Sequence, residues 1–268
     1  DANLCSVAED SWNKYRQDRP KPVKIICTEV PVPRGAQEDE EEVIPTTLED
    51  AVNTIEITKN HFIKAGLDDA WNRVIGVVVQ PGVEFGDDQI FKYQQGKAKE
   101  LSEKIIKFDH LVFEAHSTDY QTEEDLKALV EDHFCILKVG PWLTFAYREA
   151  LFALESMEIE IMGKGHKDLS NLRDTLEKLM LKEPKYWKKY YHGDEKQQFF
   201  KRKYSFSDRL RYYWPMEELD SAKNRLFENL QKNRVPTSLL SQFMPVQFYQ
   251  VCEGLITTEP KELVHSYI

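Results

Sequence analysis

The sequence predicts an α/β fold that forms part of a (β/α)₈ TIM barrel. Four apolar strand-like segments alternate with amphipathic helical segments, the segment 74–80 is apolar on both faces, and polar residues collect where each strand ends. Strands that alternate with helices of this length form right-handed βαβ units with a parallel sheet. A strand that is apolar on both faces is covered on both sides. Barrels place their chemistry at the carboxyl ends of such strands.

Each predicted strand leads into a polar loop and then into a helix. The strands span 23–29, 74–80, 111–116 and 134–139. The first of the following helices has an apolar face that runs from Leu48 to Phe62. Thr122 and Asp125 predict a capping box at the start of the third helix, and Pro141 suits the first turn of the fourth.

The character of the sequence changes at about residue 164. Aromatic and basic residues crowd together in Tyr186–Tyr191 and Tyr204–Pro215, and no further strand pattern occurs. We therefore expect residues 1–163 to form the barrel part and residues 164–268 to form a mostly helical C-terminal extension packed on it. Asp1 opens the chain within a helical pattern, so we expect further residues to precede it.

The composition excludes several functions. Lys and Arg number 36 and Asp and Glu number 46, which gives a net charge of −10. A general nucleic-acid binder needs a basic face, so we expect no nucleic-acid partner. Without a membrane-spanning stretch or a visible signal peptide, we expect a cytoplasmic protein with no membrane partner. The four cysteines lack metal-type spacing, and we expect buried free thiols.

The strongest candidate for a functional site is the polar segment that follows the third strand. His116 is suited to bind a metal or to transfer a proton, and Ser117 with the loop amides is suited to bind a phosphate. The alternative is a histidine held by hydrogen bonds at the barrel rim. Neither G-x-G-x-x-G nor G-x-x-x-x-G-K-[ST] occurs, which weighs against a dinucleotide-binding sheet and a P-loop kinase.

Other strand ends and the aromatic segments supply further candidates. Lys138 is a candidate phosphate contact or Schiff-base amine, and Glu29 is a candidate metal ligand or general base. The alternative is an ion pair of Lys138 with Glu29 or with Glu114. Arg209 and Arg211 are suited to clamp a phosphate, although aromatic and arginine clusters are more often interfaces or packed helix ends.

Six segments of the sequence together resemble one known family. They are Thr28–Pro33, Val78–Phe85, Phe113–Gln121, Ile136–Pro141, Tyr186–Tyr191 and Tyr204–Pro215. In this combination they are similar to the GatZ/KbaZ family, the non-catalytic subunits of class II D-tagatose-1,6-bisphosphate aldolase. The motifs recur in the family's order across essentially the whole chain.

The resemblance implies a barrel related to class II aldolases, of which this chain holds only the last four strands. It implies association with a separate zinc-dependent catalytic subunit of the GatY/KbaY type, whose activity and stability the family supports. The metabolism implied is that of galactitol, tagatose or amino sugars. Some members are assigned an epimerase activity at carbon 4 of ketohexose 6-phosphates, and an older label calls them tagatose-6-phosphate kinases.

Two departures from related sequences stand out. Gln80 lies where the catalytic aldolases carry a metal-binding histidine, so only His116 falls on a metal-ligand position. A neutral amide is a poor zinc ligand, which fits a non-catalytic role, although an oxygen-ligated metal stays open. The family's Pro-Gly-Gly after the first strand is Pro33-Arg34-Gly35 here, which restricts the backbone because glycine adopts dihedrals that arginine does not.

Two hypotheses follow from the sequence. The first is a binding subunit that stabilises a catalytic aldolase subunit without turnover of its own. The second is a metal-dependent epimerase that interconverts fructose 6-phosphate and tagatose 6-phosphate with Zn²⁺ or Mg²⁺. The candidate residues are Glu29 and Lys138 for catalysis, Ser117, Asp119, Gly140, Arg209 and Arg211 for binding a phosphorylated ketohexose, and His116 and Gln80 for a metal.

Overall fold

A computed structural model describes residues 1–16, 18–27, 43–108 and 110–268 of the chain. Over these residues the chain is an α/β protein with a four-stranded parallel sheet and many helices. It divides into two units, Asp1–Val139 and Gly140–Ile268. Across the described ranges, every helix is too short or too polar to cross a membrane.

The first unit contains the strands that were predicted from the sequence. Its strands are β1 (Lys24–Ile26), β2 (Val74–Val79), β3 (Glu84–Phe85), β4 (Ile90–Phe91), β5 (Val112–Ala115) and β6 (Ile136–Leu137). Its helices are α1 (Ala2–Tyr15), α2 (Leu48–Lys64), α3 (Asp68–Trp71), α4 (Gln95–Ile105) and α5 (Glu123–Glu131). The predicted capping box is confirmed, because Thr122 and Asp125 each accept a hydrogen bond from the other residue's backbone N–H.

The main sheet has the order β1-β2-β5-β6, and all three pairings are parallel. Val79 lies opposite Ala115 in the register, so Gln80 and His116 follow neighbouring strands at the same edge of the sheet. As far as the described residues go, the sheet is open, with β1 and β6 at its two edges. The β3–β4 pair, which the sequence did not predict, is a separate antiparallel hairpin.

The two faces of the sheet differ in how well they are covered. One face packs against helices in a buried core that includes Ile26, Val77, Val79, Phe113 and Ala115 of the sheet with Ala51, Ile55, Phe62, Ala98 and Leu101 of α2 and α4. The opposite face carries Ile25, Gly76, Val78, Glu114 and Ile136, because side chains alternate along a strand. Ile25 is 41% exposed on that face.

The second unit is helical throughout its described residues. Its elements are α6 (Pro141–Met162), α7 (Leu172–Lys182), α8 (Glu195–Tyr204), α9 (Glu217–Lys232), α10 (Thr237–Phe243), α11 (Pro245–Cys252), α12 (Pro260–Tyr267) and the 3₁₀ turns Pro184–Tyr186 and Arg209–Tyr213. The sequence placed α6 with the barrel part, ending at residue 163. In the structure, α6 shares a buried core with α7, α9, α10 and α12, so the unit begins at Gly140.

All four cysteines are free thiols, as expected, but the expected burial is wrong for two of them. Cys5 is buried and Cys27 is partly buried, whereas Cys135 and Cys252 are exposed. Cys135 directly precedes the short edge strand β6, and Cys252 is the last residue of α11. Both positions lie at the margin of an element, where little packs over a side chain.

Candidate functional site

A cavity of about 620 Å³ lies at the carboxyl end of β2 in the first unit. Gln80 and His116 both line it, so the structure brings these two predicted residues together. The other polar residues of the lining come from the start of α2 and the residues before it: Thr46, Thr47, Asp50, Asn53 and Thr54. Val78, Val79 and Ile57 supply apolar surface. A cavity at strand ends that combines apolar surface with a few polar groups is a common place for a ligand in α/β proteins.

His116 forms a pair with Glu114 of β5. The Nε2 of His116 lies 2.8 Å from Oε1 of Glu114, and both side chains are largely buried, at 15% and 11% exposure. A carboxylate accepts only, so Nε2–H of His116 donates to Glu114, and Nδ1 is the ring nitrogen that this pair does not use. The pair orients the imidazole at the strand end in the way that a carboxylate orients a proton-transferring or metal-bound histidine.

Gln80 shapes the loop that it begins. Its side-chain Oε1 accepts hydrogen bonds from the backbone N–H groups of Gly82 at 2.8 Å and Val83 at 3.0 Å. Its backbone N–H donates to Oγ1 of Thr46, and its carbonyl accepts from the Thr46 N–H, both at 2.8 Å. The amide oxygen that would face a metal therefore already binds two backbone donors.

The loop after β5 is fixed by unusual backbone conformations and by buried polar groups. Ser117 and Tyr120 have φ of 56° and 64°, in the left-handed region that non-glycine residues rarely adopt. Thr118 is fully buried, and its Oγ1 donates to the carbonyl of Lys138 at 3.1 Å. Asp119 is 2% exposed. The predicted Ser117 is half-buried, whereas the predicted Asp119 lies within the protein.

Of the two predicted catalytic residues, Lys138 lies within the described residues and Glu29 does not. The Lys138 side chain is exposed, and no carboxylate pairs with it over the described part of the chain. Glu114, one of the two partners proposed for an ion pair, binds His116 instead. Glu29 lies outside the described residues, and so does the Pro33-Arg34-Gly35 segment.

The remaining candidates belong to the second unit. Gly140 is the N-cap of α6. The Nη1 of Arg209 donates to the carbonyl of Tyr186 at 3.2 Å, and its guanidinium carbon lies 3.0 Å from the centre of the Tyr190 ring. The guanidinium of Arg211 donates to the carbonyls of Ser207 and Asp208 and to the Tyr212 hydroxyl. Both guanidinium groups are thus engaged within the protein.

The described residues do not form a site that fits a catalytic metal ion. Over those ranges, no group of three or more His, Cys, Asp or Glu side chains is placed to hold a metal. At the strand ends they supply the Nδ1 of His116 and an amide oxygen of Gln80 that is already bound. The predicted metal stays a prediction.

Comparison with known proteins assigns the family. The model of the family described as "D-tagatose-1,6-bisphosphate aldolase subunit GatZ/KbaZ-like" matches residues 1–268. The chain belongs to this family. The resemblance that the six sequence motifs indicated is thereby confirmed, and the GatZ/KbaZ-like assignment extends through both units.

One solved structure is similar to this chain over nearly its whole length. It is described as a probable tagatose 6 phosphate kinase from Sinorhizobium meliloti 1021 and is 38% identical to this chain, with a TM-score of 0.86. The match covers 99% of this GatZ/KbaZ-like chain and 63% of that one, so this chain spans less than two thirds of its relative's length.

Several residues of the site were not predicted from the sequence. Glu114 was named only as an ion-pair partner, and its hydrogen bond to His116 was missed. The cavity-lining residues Thr46, Thr47 and Asn53 were missed as well, although they lie just after Pro45 at the start of the helix that follows the first strand. That position places them at the carboxyl edge of a parallel sheet, and this signal was available.

Proposed function

We propose that this chain is part of a non-catalytic subunit of a class II tagatose-1,6-bisphosphate aldolase, which binds and stabilises the catalytic subunit. The observation that carries the proposal is the family match over residues 1–268. The geometry of the described strand ends agrees with it. His116 is bound by Glu114, and the oxygen of Gln80 is bound by its own loop, so the groups expected of a zinc-dependent aldolase are not assembled there.

We also propose that the open sheet is part of a (β/α)₈ barrel, with the second unit as its helical extension. The support is the parallel order β1-β2-β5-β6, in which the described helices pack in a buried core against one face of the sheet. A barrel interior is filled by side chains from all its strands. Ile25 on the other face is 41% exposed, and Val23 just before β1 is 59% exposed, which is costly for apolar side chains unless further strands cover them.

Co-purification tests the proposed binding role. The full-length protein would be co-expressed with a GatY/KbaY-type catalytic subunit that carries an affinity tag. We expect a stoichiometric complex that survives gel filtration. If the two proteins elute separately, the proposed function is wrong.

A second candidate function is epimerisation of a ketohexose 6-phosphate at carbon 4. The observation that favours it is the cavity of about 620 Å³ at the strand ends, which His116 and several hydroxyl and amide side chains line and which a purely structural subunit does not need. His116 would exchange a proton through Nδ1 while Glu114 holds the ring, and Lys138, Ser117 and Glu29 stay candidate contacts for substrate.

Incubating the full-length protein with fructose 6-phosphate and Mg²⁺ or Zn²⁺ tests the epimerase function. Tagatose 6-phosphate should form and should disappear in His116→Ala. The matched control is His166→Ala, because His166 is an exposed histidine in the second unit. Formation of product that His116→Ala leaves unchanged would show that this cavity is not the site. A kinase function, suggested by the relative's description, has less support because the sequence lacks a P-loop.

A further inference from the structure

A group of cations and aromatic rings forms one continuous surface on the second unit, here called the cation–aromatic surface. Apart from Lys185, its members come from the aromatic and basic segments Tyr186–Tyr191 and Tyr204–Pro215. They are Lys185, Tyr186, Lys189, Tyr190, Arg209, Arg211 and Tyr212. The charge of this surface is opposite to the net charge of −10 of the whole chain.

Stacked tyrosines form one half of the surface. The rings of Tyr186 and Tyr212 stack with centroids 5.1 Å apart and an angle of 24° between their planes. The Nζ of Lys185 lies 4.6 Å from the centre of the Tyr186 ring, and the guanidinium carbon of Arg211 lies 4.6 Å from that of Tyr212. Each ring of the stack thus has a cation within cation–π distance.

Tyr190, with Lys189 and Arg209, forms the other half of the surface. Arg209 lies against its ring at 3.0 Å and donates to the carbonyl of Tyr186, which connects the two halves. The Nζ of Lys189 lies 4.8 Å from the centre of the Tyr190 ring. The pKa of the Tyr190 phenol is lowered, first by its hydrogen bond to Lys189 and then by the charge of Arg209, which agrees with a positive local potential.

These cations form no salt bridges within the described part of the chain, although the charges of Arg211 and Asp208 interact. Over the described part of the chain, none of Lys185, Lys189, Arg209 and Arg211 forms a salt bridge with an Asp or Glu side chain. Elsewhere on the same unit, cations such as Arg173 and Arg202 pair with glutamates. In a chain with ten more acidic than basic residues, a cluster of unpaired cations has charge left to bind an external anion.

The exposure and hydrogen bonds of these cations favour binding of a protein over binding of a small anion. Arg209 is only 6% exposed and lies against a ring, and the Arg211 guanidinium binds two carbonyls, so neither is open to clamp a phosphate. Lys185, Lys189 and Tyr212 remain exposed. Tyrosine and arginine are enriched at protein-binding surfaces, and the rim of such surfaces is polar.

We propose that the cation–aromatic surface is a docking surface for a carboxylate-rich face of the catalytic subunit. This inference rests on the proposed function, which supplies the partner. A second copy of this chain is disfavoured because two chains of net charge −10 repel each other. Single-stranded nucleic acid is disfavoured because the same net charge repels phosphates.

The test is the affinity of the full-length protein for the purified catalytic subunit, measured by calorimetry at low and at high salt. The variant K185E/K189E reverses two exposed charges of the surface. The matched control K164E/K167E makes the same charge change at two exposed lysines of the same unit that lie outside the surface. We expect K185E/K189E to bind about tenfold more weakly, with a smaller salt dependence, and the control to bind as the wild type does.

Tyr212→Ala is a second variant that leaves the charge unchanged. We expect it to weaken binding about tenfold because stacked tyrosines at interfaces carry much of the affinity. If the wild type binds and both variants bind equally well, the inference is wrong and the proposed function stands. If the wild type itself does not bind, both are wrong. If K185E/K189E instead abolishes self-association or oligonucleotide binding with unchanged catalytic-subunit affinity, the surface serves another partner and the inference is overturned.

Discussion

Glu158 is a fully buried carboxylate in α6. The groups that donate hydrogen bonds to it predict how a substitution in the second unit changes the stability of the protein. Its oxygens accept from the backbone N and the Oγ of Ser170 and, at 2.6 Å, from Nδ2 of Asn229 in α9. The Asn229 amide also donates to the carbonyl of Asp168 at 2.8 Å. Asn229→Ala therefore removes one donor to a buried charge and one donor to a backbone carbonyl.

The magnitude follows from the burial. A hydrogen bond to a charged group contributes about 1.5–3 kcal/mol, and one between neutral groups contributes about 1 kcal/mol. Glu158 is 0% exposed and Asn229 is 8% exposed, so water does not readily replace the lost donor. We expect Asn229→Ala to lower the free energy of unfolding by about 3 kcal/mol, measured by urea denaturation of the full-length protein.

Asn224→Ala is the matched control, because Asn224 is an asparagine on the exposed face of the same helix. Its Nδ2 donates to Asp220 at 3.0 Å in solvent. We expect the control to cost only a few tenths of a kcal/mol, about the value of a surface side-chain pair on a helix. Equal losses for the two variants would show that the buried carboxylate does not depend on the Asn229 amide.

Two further predictions concern the first unit. Desolvation acts to raise the pKa of Glu9, but hydrogen bonds and charges from Arg73 and Lys24 outweigh it, so the pKa is lowered. Glu9 therefore contributes stability above its unfolded pKa of about 4.3, and this contribution is lost as the pH falls through the lower folded value. The stability difference between wild type and Glu9→Gln should shrink on acidification below about pH 4 in urea denaturation series, and a constant difference would contradict this. Thr122→Ala should destabilise by about 1 kcal/mol through loss of the α5 cap, whereas Thr122→Ser should retain most of it; equal losses would contradict the cap.

Local patterns were enough to predict much of the fold. The apolar runs gave the four parallel strands, and the Thr122–Asp125 pair gave the start of α5. The observed strands are shorter than the predicted ones, because only part of each apolar segment pairs with a neighbouring strand. The β3–β4 hairpin was missed because two-residue strands carry too little alternation to stand out.

The candidate site was predictable in place but not in detail. Parallel strands bring Gln80 and His116 to one edge, so their position on one cavity followed from the fold. The structure shows in addition that Gln80 binds its own loop and that Glu114 binds His116. Both contacts depend on side-chain rotamers, which the local sequence does not determine.

The aromatic and basic segments show the same limit in the second unit. The sequence offered Arg209 and Arg211 as phosphate contacts, whereas the structure stacks the first on Tyr190 and binds the second to two backbone carbonyls. Which ring a guanidinium packs on is decided by tertiary contacts between segments that lie about twenty residues apart in the chain.

The proposed function is that the full-length protein stabilises a catalytic aldolase subunit. The most direct measurement is the half-life of aldolase activity of the catalytic subunit at raised temperature, with and without the full-length protein. A partner that binds only the folded state slows loss of activity, so we expect a half-life that lengthens with added protein and saturates at a fixed stoichiometry. A half-life that stays the same at any excess of the protein would show that the proposed stabilising role is wrong.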